Sequence, residues 1–381
     1  MKYWRGYLVA LILSCITAAL VQFGQNHTAL VDMIYPYMTR MVMGSLAEWS
    51  SAVPYCLWQV FLGVLVVGGA VSVVLLILFR WNPIQWFGWI LAVISCVQMF
   101  NTGLYGLNEY TGPISEDVRL EMTDYTVAEL SDAAIYFRDK ANNLATKVNR
   151  DENGELIYAS FDELAAQAGD GFQVLVHEDT YAIFAGSTVP VKKLGFSERY
   201  TEKGVSGVTV AITGEAAVNT DVPTVAMPFV ICREMCHRMS ISGGESSKYA
   251  AYLACKANPS QEFQYSAYCI AYYHCYNALV CIDAATGQDN AIKVHREAHR
   301  FLLEDMQDYE AFFGAYAEPE GDTMTDMLAS WYVQTYVTPL LVEKEDPFDP
   351  TDTEQVDLTY EEPDPIPLEE WETLYEDEDD D

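Results

Sequence analysis

The residues best suited to chemistry lie between Met227 and Lys256, in MPFVICREMCHRMSISGGESSKYAAYLACK. Their spacing predicts a helix over Met227–Ser240, with Arg233, Glu234, His237 and Arg238 on one side and Phe229, Cys232, Cys236 and Met239 on another. Gly243-Gly244 interrupts the pattern, and a second helix follows over Ser246–Lys256, with Tyr249, Tyr252 and Leu253 inward. A Glu followed three residues later by a His is the second half of His-Glu-x-x-His. There, imidazoles at i and i+4 hold zinc and the Glu takes a proton from metal-bound water. In this chain the first ligand position is Arg233, and a guanidinium has no lone pair to offer a cation. The pentapeptide Arg-Glu-Met-Cys-His also reads as an ordinary amphipathic turn with a Glu234–Arg238 pair at i,i+4, worth about a few tenths of a kcal/mol.

The flanking residues add a second signal. Gly214–Asn219 (GEAAVN), Pro228-Phe229, Glu234, His237, Tyr252–Cys255, Tyr265–Tyr268 and Tyr276–Leu279 occur in an ordered series. This series resembles an uncharacterised family of bacterial membrane proteins, a domain of unknown function with a zinc-metallopeptidase-like outer domain. The resemblance runs from the first apolar segment to about Leu341. It implies a zincin-like fold, with Glu234 as base, His237 as one zinc ligand and an acidic residue on the second helix as another. Two positions depart from the family pattern. Arg233 replaces the first His, and Ser246 stands where the acidic ligand is expected, with Glu245 one residue earlier and turned by about 100° on a helix.

A replacement ligand has one further source. Ile292, His295, His299, Leu302, Met306, Tyr309 and Phe313 form a three-four stripe, which predicts one helix with both imidazoles inward. His295 and His299 are then either substitute ligands facing His237 or two hydrogen-bonded residues at the edge of a core. Cys232, Cys236, Cys255, Cys269, Cys275 and Cys281 lie in apolar helical stretches and are expected to be buried thiols; Cys232 and Cys236, at i,i+4 beside His237, have the spacing of a metal pair, but no Cys-x-x-Cys supports one.

The elements that carry these residues follow a membrane region. Three uncharged apolar runs, Tyr7–Phe23, Leu57–Phe79 and Trp86–Tyr105, have the length of membrane spans. The tight Arg80–Pro83 link makes a hairpin of the second and third, and places Lys2, Arg5 and Arg80 on one side. The positive-inside rule assigns that side to the cytoplasm. Tyr7–Phe23 also has the charged start and short apolar core of a cleaved signal peptide. Phe263–Ile282 is uncharged as well, but its tyrosines, with His274 and Asn277, suit a buried core helix better than a lipid-facing one. The spans hold no charged residue, which argues against a transporter or channel.

Beyond the spans, Thr126 and Glu129 form a capping-box pattern ahead of a stripe from Val127 to Val148. A short helix is expected over Phe161–Ala168, stopped by Gly169-Asp170-Gly171, with strands over Tyr181–Ala185 and Val208–Thr213. Residues 343–381 hold 19 Asp and Glu against one Lys, a composition expected to stay solvated and disordered. The net charge of −34 makes nucleic acid an unsuitable partner.

The expected organisation is thus a membrane region at 1–105, a metallopeptidase-like extracytoplasmic domain at 106–342 and an acidic tail at 343–381. The fold class is α+β, with three transmembrane helices before a mainly helical zincin-like domain with a small sheet. The expected location is the bacterial cytoplasmic membrane, with the N-terminus inside and the large domain and C-terminus outside. Partners are the lipid bilayer and an extracytoplasmic peptide or protein. Two functions are carried forward: a membrane-anchored zinc-metallopeptidase-like enzyme with a degenerate site, and an inactive pseudo-peptidase serving as a tethered binding or scaffold protein.

Overall fold

The structure is a computed structural model that describes residues 2–314 and 323–339; the acidic stretch 343–381 lies outside the described residues. Four long helices come first: α1 (Arg5–Asn26), α2 (Thr28–Ser50), α3 (Leu57–Leu78) and α4 (Pro83–Leu104). Of these, α1, α3 and α4 are long and apolar enough to cross a membrane. A long apolar helix stands at each expected span, its ends within three residues of those expected. The stretch between the first two spans forms a further long helix, α2. Its inner face carries Val31, Tyr35, Thr39, Met43 and Ala47, which recur at helical spacing among charged residues and were obscured by them.

Small residues set the pairing of α1 with α4. A Cβ on Gly6 would meet Gly88 at 2.4 Å, and one on Gly24 would meet the Tyr110 ring at 2.4 Å, so the two helices run parallel at close approach. Asn82 caps α4 by accepting from the Ile84 and Gln85 amides, with Pro83 at the first helical position. Within α3 no residue is buried.

The remaining residues form a helical body with one small sheet. Helices α5 (Ile114–Asp117), α6 (Val127–Ala145), α7 (Phe161–His177) and α8 (Ser197–Thr201) precede α9 (Met227–Arg238), α10 (Gly244–Ala257) and α11 (Gln261–Thr286). Then follow α12 (Asn290–His295), α13 (Arg300–Phe313) and α14 (Thr323–Tyr332). The core gathers Leu130 and Phe137 of α6, Phe172 of α7, Ile231 and Met235 of α9, Tyr252 of α10 and Phe263 of α11. The capping boxes at Thr126/Glu129 and Ser160/Glu163 are both formed. α11 is buried over most of its length, as its polar tips require.

Local signals were overruled at three places. Gly169-Asp170-Gly171 does not stop a helix; α7 continues to His177, because Gly171 lets α10 pack so closely that a Cβ would sit 2.0 Å from the Ala254 carbonyl oxygen. Tyr181–Ala185 is no strand but a 3₁₀ turn over Ala182–Phe184, where Phe184 packs on Phe172 with ring centroids 5.8 Å apart. The sheet comprises β1 (Lys192–Lys193), β2 (Gly207–Val210) and β3 (Glu215–Val218) in the order β1-β3-β2. β3 pairs in parallel with β1 and antiparallel with β2, Val208 opposite Ala217. Only the first half of the Val208–Thr213 run is strand, since a turn at Ala211–Gly214 reverses the chain into β3.

Candidate functional site

β2 lies against α9, and their contact fixes Glu234. The Thr209 hydroxyl donates to the Glu234 carboxylate at 2.8 Å. Gly207 lies flat against the same side chain: a Cβ there would fall 2.5 Å from Glu234 Cγ and Cδ and 2.6 Å from Oε1. Only glycine leaves room for the carboxylate at that point of the strand. Glu234 is 2% exposed. Burial raises its pKa above the usual carboxylate range, while the Arg233 charge and the Thr209 hydrogen bond pull it back.

His237 sits one turn further along α9. Its Nδ1 lies 2.9 Å from the Ile241 carbonyl oxygen. A ring nitrogen facing a carbonyl carries the proton, which leaves the lone pair on Nε2. The hydroxyl of Tyr105, just past the end of α4, lies 3.2 Å from the same Nδ1. Burial pushes the imidazole down to about 3, and the Arg233 charge acts in the same direction. The end of α9 is fastened to α2 as well, through a 2.6 Å hydrogen bond between the Thr39 and Ser240 hydroxyls.

The neighbouring charges go elsewhere. Arg233 turns toward α10, its Nε donating to the Ser247 hydroxyl at 3.2 Å, and makes no ion pair with a carboxylate among the described residues. Arg238 does not pair with Glu234. It is buried, donates to the carbonyls of Ser187 and Val189, and is pushed down to about 10 by loss of solvent. Glu245 points to Lys248, whose Nζ lies 2.9 Å away, and accepts from the Met324 amide at 3.3 Å.

The second His pair is divided between elements. α12 ends at His295, and α13 begins at Arg300 after a non-helical link. The inward stripe expected over Ile292–Phe313 is therefore not one helix. His299 has extended backbone and caps α13 by accepting from the Phe301 amide, a role open to any residue with a short side-chain acceptor. His295 stacks on Tyr276 at 4.7 Å and approaches the Tyr272 hydroxyl at 3.4 Å. The partners of both imidazoles are thus different from those of His237. Among the described residues no three His, Cys, Asp or Glu side chains form a metal-holding group. The cysteines form no disulfide among the described residues; five of the six expected buried thiols are buried, and Cys281, near the end of α11, is exposed.

A zinc ion implied by the motif does not fit this donor set. His237 offers one lone pair, Arg233 offers none, and Glu245 is held by Lys248 and Met324. The resemblance places the Val208–Thr213 run at the rim of the cleft beside the motif helix, but the individual contacts of Thr209, Gly207, Tyr105 and Ser247 come from the structure. Only the Ser-Gly-Val-Thr-Val sequence, with its glycine at the head of a strand, held a signal for the first two.

Glu234 and His237 make opposite contributions to stability against pH. Glu234 is raised above its ordinary 4.5, so its contribution is fully present below that pH and is lost as pH climbs through the raised value. His237 is depressed from 6.5 to about 3, so its contribution is present above pH 6.5 and is lost as pH falls through that window. Each limb has a limiting slope of about 1.4 kcal/mol per pH unit. We expect Glu234→Gln to remove the rising-pH loss and His237→Asn to flatten the acid limb, read from thermal midpoints of detergent-solubilised protein across pH. Variants with the wild-type pH profile would show that neither group is held as described.

A family model described as "Protein of unknown function (DUF3810)" matches residues 32–336. No curated protein and no solved structure matches the chain.

Proposed function

The chain belongs to the DUF3810 family, and from that premise we propose that it is a membrane-anchored, metallopeptidase-like protein whose site has become a metal-free binding site. Its role is that of a tethered binding or scaffold protein for an extracytoplasmic peptide or protein, not that of a hydrolase. The observation that carries this reading is the position of Arg233. A permanent cation stands where a metal ligand would, and it is turned onto Ser247 of the second helix. Glu234 supports it: a base needs access to a water, whereas this carboxylate is enclosed by Gly207 and Thr209.

The same reading places α1, α3 and α4 in the bacterial cytoplasmic membrane, with Lys2, Arg5 and Arg80 inside. The parallel course of α1 and α4 supports that orientation, because it sends both helices from the basic side toward the body of the molecule.

The test is the zinc content of purified full-length protein, with peptide hydrolysis measured on the same sample. We expect far less than one zinc per chain and no hydrolysis sensitive to chelators. Arg233→His alone should gain no stoichiometric zinc, since two imidazoles without a third ligand do not make a site. One zinc per chain in the wild type, lost in His237→Asn together with a peptidase activity, would overturn the proposal and restore the enzyme reading.

A further inference from the structure

Arg233 and Lys248 line one cavity of about 200 Å³. Beside them stand the rings of Phe229, Tyr273, Tyr309 and Phe313, with the polar Ser206 and His274 completing the wall. Of the Arg233 nitrogens, only Nε has a protein acceptor among the described residues, the Ser247 hydroxyl at 3.2 Å. The two terminal nitrogens, a planar fork of four N–H donors, are left to the cavity. Lys248 adds a second cation, partly balanced by Glu245 at 2.9 Å. The chain as a whole carries −34, yet two cations stand in the wall of this cavity. We infer that this cavity binds the carboxylate end of a peptide whose last side chain is apolar. The inference rests on the metal-free reading above and names the ligand class of that site.

The chemistry follows from the shapes present. A guanidinium fixed by one nitrogen presents its other two to a carboxylate in parallel, the bidentate geometry for which arginine exceeds lysine. Burial in a small, largely apolar space strengthens such a bond relative to water. The volume is below that of a drug-sized pocket, so it admits a terminal group and not a long segment. Phe229, Tyr309 and Phe313 then cover one apolar side chain beside the carboxylate. Inorganic phosphate would meet the same two cations and gain nothing from the aromatic wall, which is why a peptide end is favoured. The fixed charge of Arg233 occupies the part of the site where the motif would have put a metal, so an anionic end can be held without one.

The test uses full-length protein in detergent micelles with EDTA present, and fluorescent N-acetylated pentapeptides ending in Phe. One series ends in a free carboxylate and the other in a carboxamide, with anisotropy as the readout. The wild type should bind the carboxylate peptide about ten-fold or more tightly than the carboxamide. Arg233→Gln should abolish that preference and Lys248→Gln should reduce it, with the melting midpoint of each variant confirming the fold. Equal binding of the two peptides by wild-type protein would overturn the inference, a comparison that needs no variant to fold. Displacement by inorganic phosphate at the peptide's own concentration would also overturn it, leaving a general anion site. Stoichiometric zinc would instead refute the metal-free reading, so the two failures are distinguished by separate measurements.

Discussion

Glu215→Ala should destabilise the protein by about 3–5 kcal/mol, the cost of stranding one partner of a buried ion pair. The Glu215 side chain is 0% exposed and lies 2.6 Å from Lys192 Nζ, itself only 10% exposed. The same carboxylate accepts from the Leu57 amide at 2.8 Å and the Trp58 amide at 2.9 Å. It therefore caps the first turn of α3 from a strand of the sheet, where negative charge also meets the positive end of the helix dipole. α3 has no buried residue, and its near end is fastened by this cap, by the Gln59–Gly195 hydrogen bonds at 3.0 Å and by Trp58 packed on the Leu194 and Ala217 cluster.

The effect can be separated into its parts. Removal of the ammonium as well, in Glu215→Ala with Lys192→Met, should recover part of the lost stability, because the uncompensated charge is gone. Thermal midpoints in detergent give the comparison, and proteolysis around residues 51–56 reports whether the α2–α3 link has loosened. A loss below about 1 kcal/mol in the single variant would mean that the carboxylate is solvated and not buried as described.

Asp305→Ala should cost a similar amount, about 3–5 kcal/mol, and should also weaken ligand binding at the Arg233 cavity. Asp305 lies 2.5 Å from Arg150 Nη2, with both side chains 7% exposed. Its Oδ1 accepts from Arg150 Nη1 at 3.2 Å, and the Tyr265 hydroxyl donates to Oδ2, the oxygen that faces Nη2. Arg150 lies over the Phe301 ring at 4.3 Å and donates to the Ala145 carbonyl at 3.0 Å. One carboxylate on α13 thus joins the end of α6 to α11. Because α13 carries Tyr309 and Phe313 into the cavity wall, loosening it should lower affinity for the carboxylate peptide without removing either cation. Asp305→Asn keeps the acceptor to Tyr265 and should fall between wild type and alanine. Full retention of both stability and affinity in Asp305→Ala would contradict this arrangement.

Sequence alone determined the features that depend on local chemistry. The three spans follow from uninterrupted apolar length. α6 and its capping box follow from Thr126, Glu129 and the stripe behind them, which place donor, acceptor and apolar face within a few residues of one another. The paired helices α9 and α10 around Gly243-Gly244 were legible for the same reason, as was the inability of Arg233 to ligate a metal, since an arginine cannot coordinate in any fold.

Tertiary structure decided what each side chain meets. His295 and His299 share a helical period in the sequence, yet the chain leaves the helix between them because His299 caps α13 instead of continuing α12. Gly169 to Gly171 reads as a stop, but close packing of α7 on α10 makes glycine a contact residue there. Glu234 and Arg238 stand one turn apart and still do not pair: Arg238 finds carbonyls of the 187–189 segment, and Glu234 finds Thr209. Glu215 sits in a GEAAVN run with no helical signal, and its partners come from α3 more than 150 residues earlier. Periodicity reports which face of an element is apolar. Which polar partner waits across the interface depends on elements distant in the chain, and that was fixed only when β2, α10 and α13 closed around α9.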